Sequence, residues 1–361
     1  MRLFQCSGVY PSYRRRLDRL AAGATGFEGR VSMFLDDRFG ACHFLEPVLR
    51  RDPSAFFTNA DDNILQRRWA LEAGMPANSA LDDILLAQIE HHRTEVFYNM
   101  DPMRFQSAFL SRLPGCVRKS IAWRAAPSPG ADFTAYSLVV CNFPAILASF
   151  EHAGCRTAYF SPAHDPVMDT YAANGERPID LLFVGGYTRH HRQRAELLEA
   201  AASLAGRYSV AMHLDSSRLT RLSESIVGRL LPLAAHRRPR ALQEVARPPV
   251  FGRELYSALG SAKIVLNGAI DMAGSERGNM RCFEAMGCGS LLLSDEGDYP
   301  EGMTPDETLV SYGSVEDAVS KIDELLSARP HRETIARAGY RAMTTTYSKQ
   351  RQWEQFVDLA Q

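Results

Sequence analysis

The stretch GSERGNMRCFEAMGCGSLLLSD, residues 274–295, constrains this chain more than any other. Gly274, Ser275, Glu276, Arg277 and Gly278 read as a loop. Met280, Phe283 and Met286 then recur at helical spacing and predict a helix with one buried face. Gly287 and Gly289 stop that helix, because glycine takes the left-handed cap conformation at little cost. Residues 290–294 follow as a short buried strand. Glu276 lies in the loop and Glu284 about a turn and a half inside the helix, with seven residues between them. Both carboxylates are thereby expected to face one ligand lying across the helix N-terminus. Free backbone N–H groups and the helix dipole favour phosphate there. A carboxylate accepts two hydroxyl hydrogen bonds at once, as a ribose or hexose diol offers. The outline is that of a nucleotide-sugar site.

A length of 361 residues suits two ordinary domains, each with a sizeable core. The formal net charge of −1 argues against a general nucleic-acid binder, which needs a basic excess, so no nucleic-acid partner is expected. The seven cysteines have no C-x-x-C spacing, so neither a disulfide framework nor a zinc site is indicated, and no metal is expected. The opening MRLFQCSGVYPSYRRR is too poor in apolar residues for a signal peptide. Residues 133–150 lack charge, but Asn142 and Pro144 interrupt them, and they read as a strand plus a helix instead of a membrane span. A reduced cytoplasm is the expected home.

Along the first half, residues 2–10 read as a buried strand, and a loop containing Gly40 leads to helical spacing over 42–51. A strand over 55–59 and helices over 64–73 and 81–92 come next. Residues 94–99, 119–123, 138–141 and 156–160 are short β-rich runs, the first three ending in polar or turn clusters. In a parallel sheet those clusters fall at the carboxyl edge, where ligands bind in open α/β folds, so residues 1–167 read as an acceptor domain. His164 and Asp165 sit on the loop that leaves it.

Residues 168–178, polar and closed by a proline, read as a linker. A second nucleotide-binding domain over 178–347 opens with DLLFVGGYTRHHRQRAELLEA, a strand, a Gly185-Gly186 turn, a basic loop and a helix. Arg189, Arg192 and Arg194 fall where cations meet a diphosphate, with His190 and His191 between them, against the plainer reading of a solvated first helical turn. Neither G-x-G-x-x-G nor G-x-x-x-x-G-K-[ST] occurs, so a dehydrogenase or P-loop enzyme lacks its signature. The arginine-rich run 218–247 reads as a solvated face and leaves peripheral contact with an acidic partner or lipid headgroups open. The strand KIVLN delivers Asn267, a turn residue or a ligand, and the loop through Asp271 to the Glu276 segment. A strand over 308–312 and helices over 315–328, 333–347 and 350–359 complete the chain.

The Glu276…Glu284 pair, followed by Ala285 and the Gly-Cys-Gly turn, resembles the E-x7-E motif of retaining family-four glycosyltransferases of the GT-B fold. The wording GNMRCFEAMGCG after KIVLN is most similar to the CgeB-like, or spore maturation protein, branch. The resemblance covers most of the chain and is sharp over 256–295. It departs where the commoner family-four loop has an aromatic-Gly-Leu run, here Gly278, Asn279 and Met280. It implies an α/β protein of GT-B architecture, two Rossmann-like parallel-sheet domains facing a central cleft, with the final helix, 348–361, returning to the first domain. The implied reaction moves a hexose from a nucleoside-diphosphate sugar, a UDP- or GDP-sugar, to an acceptor with retention of configuration. The acceptor, whether protein, glycan or lipid, is left open, and no cofactor or metal ion is implied. Glu284 would hold the ribose and Glu276 the donor sugar, while Arg194, with Arg192 and the N–H groups near Asn279, Met280 and Arg281, would stabilise the leaving diphosphate. Gly185, Gly186, Asn267 and Gly278 complete the implied donor site. The absence of a D-x-D triplet fits a metal-free scheme. The family's first-domain histidine has no match at Trp123-Arg124-Ala125, which makes His164 the substitute catalytic candidate by loop position. A nucleotide-sugar epimerase on the same fold and a binding protein with a degenerate site are the competing readings.

Overall fold

Short apolar runs form twelve strands among the described residues, gathered into two separate six-stranded sheets. The structure, a computed structural model, describes the chain apart from residues 188–190, 227 and 269–273 and the side chains of Arg229 and Ala235. The chain divides into two compact units.

The first unit holds β1 (Leu3–Ser7), β2 (Ala55–Asn59), β3 (Val96–Asn99), β4 (Lys119–Trp123), β5 (Leu138–Cys141) and β6 (Thr157–Tyr159). Their order is β2-β1-β3-β4-β5-β6, and every pair is parallel. All five residues of β1 are buried, as a strand covered on both faces requires, which explains its unbroken run of non-charged residues. Two helices, Pro11–Leu20 and Gly26–Asp37, occupy a stretch to which the sequence reading assigned no element. The first buries only Tyr13 and Leu17 among its arginines, too sparse a stripe to stand out. The helix expected over 42–51 is instead a 3₁₀ turn at Ala41–His43 and a single turn at Glu46–Leu49. Pro47 lies in the first turn of the latter, where its missing N–H does no harm, and it bars a continuous helix through that point.

The C-terminal helix, Lys349–Ala360, belongs to this first unit. Its Phe356 packs on Tyr98 and Phe160, with ring centroids 5.0 and 5.9 Å away. Buried Lys349 donates from Nζ to the carbonyls of Cys42 and Phe44 and to Gln352 Oε1.

The second unit holds β7 (Ile179–Gly186), β8 (Val210–Asp215), β9 (Ala246–Arg247), β10 (Ala262–Leu266), β11 (Leu291–Asp295) and β12 (Val310–Tyr312). They pair in parallel in the order β12-β11-β10-β7-β8-β9. Leu181, Phe183, Met212, Ile264, Leu266 and Leu293 lie at the centre of its core. The unit begins at His164, and the stretch read as a linker is helical over Met168–Ala172. Arg177 ties that stretch to the sheet, donating to the Ala262 carbonyl at 3.1 Å and to Ser290 Oγ at 2.9 Å. β7 runs on through Gly185 and Gly186, which are strand residues and not the expected turn. The long helix Arg329–Thr346 starts four residues before its expected beginning because Pro330 is welcome in a first helical turn.

Candidate functional site

The carboxyl edge of the second sheet gathers the ends of β7, β10, β11 and β12 around the start of the helix Met280–Gly287. That helix is buried on all sides from residue 282 to 287, more than the one-faced pattern predicted. Gly289 ends it with φ of +71°, the left-handed conformation expected of its C-terminal stop. At its start the loop bends through Gly278, whose φ of +113° only glycine adopts without strain.

Two residues of this helix carry charge into the site. Glu284 is 2% exposed, and its Oε2 accepts from Arg281 Nη1 at 2.6 Å. Burial raises the carboxyl above its usual range, and the neighbouring Arg281 charge only partly opposes that rise. Asn279 sends its amide to Asn267 Oδ1 at 3.2 Å instead of capping the helix. Asn267 in turn donates to Ser294 Oγ at 3.0 Å, and its carbonyl accepts from the Tyr312 hydroxyl at 2.7 Å. This chain of bonds ties the ends of β10, β11 and β12 to the helix start. Arg277 is held by Asp295 at 2.6 Å and donates its backbone N–H to the Asp298 carbonyl.

Arg194, in the first turn of the helix Arg192–Ser203, lies over the Phe183 ring with its guanidinium carbon 5.1 Å from the centroid. A Cβ on Gly185 would fall 2.6 Å from Arg194 Nη2, so the bare glycine makes room for the guanidinium. Gly268 lies near the same side chain: a Cβ there would stand at ordinary contact distance, 3.7 Å from Arg194 Cγ and 3.5 Å from the Tyr312 hydroxyl. Burial lowers the Arg194 pKa, Tyr312 and Asp295 pull it up, and the positive Arg281 pushes it further down. Arg194 Nε is buried without a hydrogen-bond partner among the described residues. A desolvated cation beside a second cation is an environment that an anion relieves.

Of the residues singled out in the sequence, Arg194, Gly185, Asn267, Gly278, Asn279, Met280, Arg281 and Glu284 therefore come together at one sheet edge. Glu276 does not belong to this group: residues 274–276 fall with the first unit. There its Oε1 and Oε2 accept from the Ala145 backbone N–H at 2.8 and 3.1 Å, in the first turn of the helix Pro144–His152. His164 lies at the far end of the Met280–Gly287 helix, about 10 Å from its start at 1.5 Å per residue. A Cβ on Gly287 would touch His164 Nδ1 at 2.9 Å, while Nε2 is bonded to Asp169 at 2.7 Å. Arg192 points outward, its side chain 87% exposed, with Glu196 at 4.0 Å. Gly186 is exposed and touches nothing a Cβ would meet. Arg189 and Asp271 lie outside the described residues. Tyr312, Gly268, Phe183 and the Arg277–Asp295 pair went unremarked in the sequence. Tyr312, Gly268 and Asp295 sit in or just past the last residues of a strand of this sheet, the signal that marks ligand sites in open parallel sheets. Among the described residues no group of three or more His, Cys, Asp or Glu is placed to hold a metal ion.

Residues 192–358 match a family described as glycosyl transferase-like. No curated protein matches the chain by sequence. Among solved structures, the chain is similar to HepE of Anabaena in complex with UDP and glucose, at 12% identity and a TM-score of 0.58 over 99% of both chains. A glycosyltransferase from Rickettsia africae ESF-5 matches at 11% identity and 0.56, covering 99% of this chain and 97% of that one. Sucrose-phosphate synthase from Thermosynechococcus elongatus matches at 12% identity and 0.52, with 99% and 97% covered. The fold is the two-domain, Rossmann-like GT-B fold. Arg194, Glu276 and Glu284 all fall inside the glycosyl transferase-like segment.

Proposed function

We propose that this protein is a hexosyltransferase that moves a sugar from a nucleoside-diphosphate sugar to an acceptor, with retention at the anomeric carbon and without a metal ion. One observation carries the reading. The pairing of Arg281 with buried Glu284, and the half-buried Arg194 whose Nε has no hydrogen-bond partner among the described residues, share a sheet edge inside the glycosyl transferase-like segment. A cation kept from water accepts the growing negative charge of a departing diphosphate, and a buried carboxylate accepts ribose hydroxyls. The HepE complexes hold UDP and UDP-glucose, which favours a UDP-sugar as donor here, with a GDP-sugar as the alternative.

In this scheme the bond from the anomeric carbon to the diphosphate oxygen breaks while a bond to the acceptor oxygen forms on the same face. The acceptor's proton passes to the departing diphosphate, so no protein base is required. Arg194 and the N–H groups at the start of the Met280–Gly287 helix stabilise the leaving group. Glu284 fixes the ribose. Glu276 orients the sugar, a role that suits a carboxylate because it accepts hydroxyl hydrogen bonds. No cofactor beyond the donor enters. The acceptor is a protein, glycan or lipid, which makes glycan biosynthesis the setting. Seven free cysteines fit a reducing compartment, the cytoplasm. No described helix is long and apolar enough to cross a membrane.

The test is a thermal-shift screen against UDP, GDP, ADP, CDP and dTDP, with magnesium and with chelator. A shift from one diphosphate that survives chelation and disappears in Glu284→Ala supports the reading and names the base. No shift from any of them, or a shift that needs magnesium, overturns it.

A further inference from the structure

The opposite, amino edge of the second sheet holds an open cavity of about 810 Å³. β10 alone separates the two edges by five residues, about 16 Å at the rise of a strand, so the cavity is distinct from the donor site. Its walls come from the Met168–Ala172 helix and the chain after it, the start of β10, and the facing side of the Arg329–Thr346 helix. Arg177, Lys263, Arg329, Arg332 and Arg337 line it, against two carboxylates, Asp169 and Glu333.

The pairing among these groups leaves a cationic excess. Lys263 is paired with Asp180 at 2.6 Å, and Arg329 with Glu333 at 2.6 Å. Asp169 accepts from the Tyr340 hydroxyl and is bonded to His164. Arg177, Arg332 and Arg337 have no carboxylate within ion-pair distance among the described residues. Arg332 is 5% exposed, and among the described residues its Nη1 donates to the carbonyls of Leu325 and Leu326. Arg177 donates to the carbonyls of Ala262, Ala172 and Cys288 and to Ser290 Oγ. Neutral oxygens satisfy the hydrogen bonds of these two guanidinium groups without balancing their charge. Burial accordingly lowers the pKa of both.

We infer that this cavity is a second, anion-binding site that takes a phosphorylated small molecule. Its volume is that of a metabolite pocket and exceeds what a bare phosphate fills. Arg337 and Arg329 stand exposed at its rim to meet phosphate oxygens, and the polar remainder of the wall, with Asn174 and Tyr340, suits a hydroxylated body. Arg177 also holds the Cys288 carbonyl, at the end of the helix that carries Glu284, so an anion here bears on the stop of that helix.

Calorimetric titration with pyrophosphate and with glucose 6-phosphate, at ionic strength fixed by chloride, tests the site. The variants are Arg337→Glu, Arg337→Lys and Arg194→Ala, the last removing the cation at the carboxyl edge. Arg337 is exposed, so its variants keep the fold, which an unchanged melting temperature verifies. The expectation is a binding class that Arg337→Glu weakens by about tenfold or more, that Arg337→Lys largely preserves, and that Arg194→Ala leaves intact. Glucose 6-phosphate binding in that class supports a phosphorylated metabolite. Pyrophosphate binding without it reduces the site to one for free phosphates and overturns the metabolite assignment. Binding lost in Arg194→Ala alone, or unchanged in Arg337→Glu, overturns the site itself.

Discussion

Glu284→Gln is expected to separate donor binding from stability. The carboxyl group is 2% exposed, and its pKa lies above the ordinary 4.5 even with Arg281 at 2.6 Å. A net upward shift means that the whole environment, Arg281 included, favours the neutral form. Because the folded value exceeds the unfolded one, this group's stabilising contribution is full below about 4.5 and is lost as pH rises through the folded value. Near neutral pH the charged carboxylate is therefore a burden on folding that the neutral glutamine removes. The glutamine keeps the volume, and its carbonyl still accepts from Arg281, whose side chain is 17% exposed and so still reaches water. Ligand hydroxyls, however, lose a charged acceptor, worth about 1.5–3 kcal/mol, or roughly 10- to 150-fold in Kd. The assay pairs titration of the nucleoside diphosphate picked by the screen with thermal melts of both proteins from about pH 5 to 8. Glu284→Gln should melt at or above the wild type near pH 8, with the gap closing toward pH 5, while affinity falls. A variant that melts well below the wild type at pH 8 refutes the electrostatic argument. One that binds as tightly as the wild type refutes the ribose role.

Other substitutions test the remaining roles. Glu276→Ala should cut kcat at least tenfold while changing nucleoside-diphosphate Kd much less, since its carboxylate sits on the Ala145 N–H and is assigned to the sugar; equal losses in turnover and affinity contradict the division of labour. Arg194→Ala should weaken diphosphate binding by about tenfold or more, whereas Arg192→Ala, at an exposed surface pair, should leave Kd within about twofold. Titrating both variants with the same diphosphate decides between them, and a reversed ranking would return Arg192 to the site. Gly339→Ala should destabilise by about 1–3 kcal/mol, because a Cβ there would lie 2.5 Å from the Thr308 carbonyl oxygen, a backbone atom that cannot swing away. An unchanged melting temperature would mean that the Arg329–Thr346 helix shifts freely.

Most strands of both sheets were legible because parallel strands buried on both faces read as short apolar runs, whereas the two-residue β9 lies in the arginine-rich run read as a solvated face. Lys119–Trp123 and Leu138–Cys141 match their expected limits residue for residue. Glu284 was legible too, since its helix is announced by local spacing and its glycine stop. Glu276 was only half legible. Its place in the loop follows from sequence, but its partner Ala145 lies 131 residues away and is set by tertiary packing alone. Loop position suggests access to a ligand for His164, and the structure sets its ring against a helix end, where the bare Cα of Gly287 admits it. That glycine was read only as a helix stop, a local role that hides its second use in packing.

Arg192 and Arg194 open one helix yet meet different surroundings. Arg192 and Arg194 are two residues apart at the start of one helix, so their side chains leave it about 200° apart at 3.6 residues per turn. Only one of them can face the sheet edge. Arg194, Leu197, Leu198 and Ala201 fall at i, i+3, i+4 and i+7, and the last three are buried. Arg194 is thus the charged end of the apolar stripe, and Arg192 is on the solvent side with Glu196. A cation that extends a buried stripe is held where water is scarce, which is the condition under which its charge acts strongly on a diphosphate. Helix phase, already present in the residues, therefore decides which arginine lies beside Gly185 and Phe183 and which covers the surface.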